Sequence, residues 1–134
     1  MIFRTTKAII THTGQNFNDN IDFTTMPGNY SLSEIDTGYT WIDGKHIYKK
    51  TISIGTLPNN SVKNVAHGIS NLNYIISLEG IAVSSLYLLP MNFPALDNSL
   101  VIRTFADYSN VTVGTGVDRS DYTGYVTLYY TKSS

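Results

Sequence analysis

Three histidines, His12, His46 and His67, are the only imidazoles in a chain that has no cysteine. None stands at the His-x-x-x-His or Cys-containing spacings by which side chains converge on zinc. All three therefore read as hydrogen-bonded structural or surface histidines. Two carboxylate pairs lie close in sequence, Glu34 with Asp36 and Asp118 with Asp121. Sugar hydrolysis needs two carboxyls facing each other across the scissile bond, so these pairs are the places to look for it. Both occupy turn-rich stretches, where Asp commonly bonds its own backbone. Asp118-Arg119-Ser120-Asp121 offers oxygen ligands of the kind Ca²⁺ takes, without the dense, regular acidic spacing of a calcium loop. There is no Gly-x-Ser-x-Gly elbow and no Gly-rich loop ending in Gly-Lys-Ser or Gly-Lys-Thr. The expectation is a non-enzymatic chain with no metal and no cofactor.

Aromatic residues are the sharper feature. Trp41 with Tyr39, Tyr48, Tyr125, Tyr129 and Tyr130 supplies amphipathic rings on neighbouring predicted strands. Exposed, such rings stack on the apolar faces of sugars while Asn, Asp and Thr bond the hydroxyls. The same rings also suit a subunit interface, where Tyr and Trp are enriched, or a core from which phenol tips reach water. The candidate glycan-binding or interface residues are Tyr39, Trp41, Asp43, Tyr48, Asp121 and Tyr125.

The elements that must position these residues are strands. Of 134 residues, 42% are apolar and only 14% charged, against about 25% charged in an ordinary soluble protein. Ser, Thr, Asn and ten Tyr make up the polar surface, and nine Lys and Arg against ten Asp and Glu leave a net charge of −1. This length fits one domain. The charge excludes a basic nucleic-acid footprint, and Lys49-Lys50 point to opposite faces of one predicted strand. No apolar run approaches the roughly 18 residues of a membrane span, and the opening residues read as strand rather than signal peptide.

Alternation dominates. Strands are predicted over Phe3–Thr13, Tyr39–Ile42, His46–Ile54, Val62–Val65, Leu100–Tyr108, Asn110–Val113 and Tyr122–Thr131. Asp43-Gly44 reads as a two-residue hairpin turn with both residues at positive φ, and Gly114-Thr115-Gly116 as another turn. Gln15–Asn20 is an Asn-rich loop. Ser33, Glu34 and Asp36 suit the start of a short helical turn. The apolar stretch Tyr74–Leu89 reads as two strands broken at Glu79-Gly80, a buried helix being the alternative. Along Tyr122–Thr131, Val126, Leu128 and Tyr130 share one face. Eight or nine short-linked strands imply an antiparallel β-sandwich or jelly-roll-like fold.

Tyr30-Ser31-Leu32-Ser33-Glu34, Thr37-Gly38 and Trp41-Ile42-Asp43-Gly44-Lys45-His46-Ile47-Tyr48-Lys49-Lys50-Thr51 together resemble a module of virion proteins of tailed phages. That module carries Tyr-Ser-Thr-x-Glu ahead of Trp-Ile-Asp-Gly-Lys-Pro-Ile-Tyr-x-Lys-Thr. The resemblance continues through Leu57-Pro58-Asn59 and Val65–Ile69 to Asp118–Lys132, covering about Tyr30 to Lys132. It implies a non-enzymatic structural module of a head fibre, capsid decoration or tail-fibre tip, assembled as a homotrimer with other phage virion proteins as partners. Host attachment through a cell-surface glycan is the alternative role, with no nucleic acid or membrane involved. His46 replaces the family's Pro, which is expected to loosen the strand after the Asp-Gly turn. Residues 1–28 form an N-terminal strand and loop, a candidate attachment segment, and residues 29–134 the module itself. With no fibre shaft ahead of the module, a free-standing small virion protein or fibre tip is expected.

Overall fold

A computed structural model of the chain describes residues 28–93, 97 and 100–133. The predicted strand Phe3–Thr13, the Asn-rich loop and all but residue 28 of the candidate attachment segment lie outside the described residues. Within them the chain is all-β. Eight strands follow in order: β1 (Ile35–Thr40), β2 (His46–Thr56), β3 (Val62–Ala66), β4 (Leu72–Val83), β5 (Leu88–Pro90), β6 (Ile102–Ala106), β7 (Asn110–Thr115) and β8 (Thr123–Lys132). They form two sheets, β1-β2-β8-β4-β5 and β3-β7-β6, and every pairing is antiparallel.

The last strand lies at the centre of the larger sheet. Val126, Leu128 and Tyr130 of β8 are fully buried, because residues two apart in a strand share a face. They join Ile52 and Ile54 of β2, Ala82 of β4, and Ile102, Val111 and Val113 of the second sheet in one core. Each such aliphatic side chain contributes about 1.5–3 kcal/mol by leaving water. β6 follows the same rule, with Ile102 and Thr104 buried while Arg103 and Phe105 face outward.

Four local expectations are corrected. First, Ser33–Asp36 forms no helical turn; Ile35 and Asp36 already belong to β1. β1 therefore starts earlier than predicted, and Trp41-Ile42 falls in the connection. Second, that connection closes on a Trp41–Lys45 bond that encloses a loop of three residues, Ile42, Asp43 and Gly44. Gly44 N–H donates to Trp41 O at 2.9 Å and Trp41 N–H to Lys45 O at 2.8 Å. Only Gly44 takes positive φ, at 84°. This is a turn centred on Ile42-Asp43 followed by a glycine in the left-handed region.

Third, β4 runs unbroken through Glu79-Gly80, and the reversal occurs at Ser84–Tyr87. Ser84 Oγ accepts the Tyr87 N–H at 3.0 Å there. Gly80 is a site of close approach rather than a break. A Cβ on it would lie 2.4 Å from Tyr125 O and 2.8 Å from Met91 Cγ. Met91, buried, fills the missing side chain's place and donates its N–H to Gly80 O at 3.2 Å. Fourth, β7 continues through Gly114 to Thr115 rather than turning there.

The His46 corner also differs from expectation. β2 begins at His46 itself, paired with Thr40, and the irregularity lies in β1. There Asp36 and Thr37 fold a bulge with their own side chains, accepting the N–H groups of Gly38 and Tyr39 at 2.9 and 3.2 Å. His46 Nδ1 stands 2.7 Å from Asp36 Oδ2, a link that a proline could not make.

Candidate functional site

The segment before β1 continues along the edge of β2, where Ile35 pairs with Lys49, and its side chains reach β8. Glu34 Oε2 accepts the Tyr130 hydroxyl at 2.6 Å, and Lys132 Nζ donates to Glu34 Oε1 and Oε2 at 2.9 and 3.1 Å. The Tyr30 and Tyr129 hydroxyls share a hydrogen bond of 3.0 Å, and the Lys49 ammonium sits 4.4 Å from the centre of the Tyr30 ring. Ser31 O accepts the Thr51 N–H at 2.9 Å. These contacts explain why Lys49 is buried although it shares a strand face with exposed Ser53. Burial, and then the Glu34 hydrogen bond, push the Tyr130 phenol well above its ordinary value. Tyr129 is raised by burial and then by its bond to Tyr30.

The six sequence-predicted site residues divide between two ends of the larger sheet. Tyr39, Trp41, Asp43 and Tyr48 gather at the β1–β2 hairpin. Tyr39 is largely exposed. Trp41 is half-buried with its ring edge-on to Tyr74, centroids 6.4 Å apart, and its Nε1 has no partner among the described residues. Asp43 Oδ1 caps its own turn by accepting the Lys45 N–H at 3.0 Å. Tyr48 stacks on buried Tyr130 at 6.1 Å, with the Lys132 ammonium 5.3 Å from its ring centre. Asp121 and Tyr125 lie elsewhere. Tyr48 pairs with Tyr130 whereas Ser53 pairs with Tyr125, so about 17 Å of strand separates the two groups. No single aromatic platform unites the six.

Three of the four paired carboxylates are engaged within the fold. Glu34 faces Tyr130 and Lys132, while Asp36 is held below the usual carboxylate range by the Gly38 N–H and then by His46. Asp118 Oδ1 accepts the Ser120 N–H at 2.9 Å, a turn contact. Among the described residues, no three His, Asp or Glu side chains are placed to hold a metal ion. His67 is buried and bridges two connections: its Nε2 lies 3.0 Å from Asp107 O and its Nδ1 accepts the Ile69 N–H at 3.1 Å. A proton on Nε2 satisfies both contacts.

Two surface features escaped the sequence reading. On the outer face of the larger sheet, Tyr125 pairs with Ile81, and Val83 with Leu88. These four, with Leu86 and Tyr87 at the adjoining turn, are exposed apolar side chains. Alternation could not sort Ile81 and Val83 from Ala82, because all three are apolar. The second feature is a groove of about 490 Å³ on the outer face of the β3-β7-β6 sheet, with Gly114 among the residues lining it. Of its lining only the outward Arg103-x-Phe105 alternation is visible in the sequence, which assigns Gly114 to a turn.

Comparison of this chain with family models, curated proteins and solved structures finds no match.

Proposed function

We propose that this chain is a non-enzymatic structural component of a phage particle, a jelly-roll-like β-sandwich that assembles into a homotrimer. The observation that carries this reading is the exposed apolar face formed by Ile81, Val83, Leu88 and Tyr125. A contiguous apolar patch on a neutral surface favours association, and identical chains usually close by rotation. The module's signature residues fit the same role. Tyr30, Glu34, Tyr130 and Lys132 are occupied in fastening one segment of the chain to another. A surface with few charges also keeps its contacts as ionic strength changes. Head-fibre, capsid-decoration and fibre-tip positions are all compatible with such a building block.

Light scattering at about 10 µM, a concentration at which a functional interface is populated, is expected to give three times the chain mass of 14.9 kDa. Tyr125→Lys combined with Leu88→Lys is expected to yield a folded monomer, since a charge forced into a dry interface costs several kcal/mol. A monomeric wild type, or a trimer indifferent to both substitutions, would overturn the assembly reading. Peptides of the chain are expected to co-purify with intact particles. Their confinement to particle-free lysate would remove it from the virion.

A further inference from the structure

We propose that the groove on the outer face of the β3-β7-β6 sheet binds a carboxylated sugar, with Arg103 holding the carboxylate and Phe105 stacking on the ring. This goes beyond the assembly reading and does not depend on it, because the groove belongs to the sheet that lacks Tyr125 and Leu88.

The register builds the groove in two rows. Arg103, Gly114 and Val62 lie side by side across β6, β7 and β3, and Phe105, Thr112 and Asn64 form the next row. Alternation sends all six to the outer face, opposite buried Ile102, Thr104, Val111 and Val113. Gly114 leaves a gap in the middle of the first row. Its φ is not positive, so the backbone does not require glycine. An added Cβ would meet only Val62 Cγ2, at an ordinary 3.7 Å. Packing therefore does not demand the missing side chain; what its absence provides is room.

The walls specify the chemistry. The Arg103 side chain is exposed and enters no ion pair or hydrogen bond among the described residues. Arg119, by contrast, is spent on Leu100 O at 2.6 Å and on the Phe93 and Tyr122 rings. A free guanidinium presents a planar fork that matches a carboxylate. Phe105, 58% exposed, stands two residues along the same strand and offers a flat apolar surface to the C–H face of a pyranose. Thr112 Oγ1 donates to Asn64 Oδ1 at 2.7 Å, so the Asn64 NH₂, beside the groove next to Thr112 rather than in its lining, is left to donate to a hydroxyl of a sugar that extends past Thr112. One cation, one ring and one amide suit a single acidic sugar residue. A nucleic-acid strand would need several cations along its backbone, and a neutral sugar would leave Arg103 unused.

The test is an amide-shift NMR titration of the full chain with a galacturonic acid trimer and, separately, with its methyl ester. The acid is expected to shift the amides of Arg103, Thr112 and Gly114 with a Kd of about 1 mM. Esterification and Arg103→Gln should each weaken binding about tenfold, and Gly114→Ala at least about threefold, with thermal stability unchanged in Arg103→Gln. Absence of shifts at about 20 mM acid, or equal binding of acid and ester, would overturn the proposal. An Asp-Glu peptide that binds as tightly as the sugar acid would overturn it too, reassigning the groove to acidic peptide. None of these outcomes depends on the oligomeric mass.

Discussion

Gly80→Ala is expected to lower stability by about 3 kcal/mol, toward the upper end of what a single overpacking substitution does. The added Cβ would fall 2.4 Å from Tyr125 O, 2.8 Å from Met91 Cγ and 3.1 Å from Val126 Cα. The Met91 side chain is flexible enough to move aside. The Tyr125 carbonyl and the Val126 backbone are not, because they belong to β8, the strand between β4 and β2. Relief therefore requires β4 to separate from β8, or the central strand to shift against the core residues Val126 and Leu128. With a urea m-value of about 1–3 kcal/mol/M, the unfolding midpoint should fall by about 1 M or more. Gly114→Ala supplies the internal control. Its Cβ meets only Val62 Cγ2 at 3.7 Å, so it should be neutral or gain a few tenths of a kcal/mol through the unfolded chain. A Gly80→Ala midpoint equal to that of Gly114→Ala would show that the β4–β8 approach is not tight, and would remove the account of why β4 passes unbroken through a glycine.

That pair of glycines also marks where the sequence is legible. Alternation is informative when one face is apolar and the other polar: Val126, Leu128 and Tyr130, expected to share one face of their strand, are buried together on β8, and on β6 Ile102 and Thr104 are buried against outward Arg103 and Phe105. It is blind where both faces are apolar. Ile81, Ala82 and Val83 give no sign of which is buried, and Gly80 reads as a break because a glycine in an apolar run ordinarily marks one. Burial of Lys49 was equally hidden, since it depends on Tyr30 lying over it rather than on the strand's own pattern. The types of the candidate site residues could be read, but their neighbours could not. Tyr130 and Glu34 meet across 96 positions of sequence, whereas Tyr48 and Tyr125, both expected near one platform, pair with different stretches of the sheet. Local chemistry is legible for the paired aspartates: Asp36 and Asp118 each bond backbone two residues on, as expected of Asp in turn-rich segments, while Asp43, a glycan-site candidate, does the same.

Above pH 10 the protein is expected to lose stability with a slope traceable to Tyr130. This ring is fully buried, and its hydroxyl donates to Glu34 Oε2 at 2.6 Å. Burial and that bond hold its proton well past the ordinary phenol range. In the unfolded chain a tyrosine releases its proton near pH 10. Beyond that point the folded state binds a proton that the unfolded state has lost, so stability is fully present below about pH 10 and declines as pH rises. For one group the decline is about 1.4 kcal/mol per pH unit, or roughly 3 kcal/mol by pH 12. Tyr129, raised in the same direction by burial and its bond to Tyr30, steepens the decline. Tyr130→Phe should abolish the Tyr130 part of the slope. At neutral pH it should cost about 1–2 kcal/mol, because Glu34 loses a donor but keeps the Lys132 ammonium at 2.9 Å. The two stability curves, measured by urea unfolding from pH 7 to 12, are therefore expected to start apart, converge above pH 10 and cross before pH 12. Parallel curves would mean that the phenol proton is not held by the fold. The Glu34–Tyr130 bond would then not be what fastens the segment before β1 to β8.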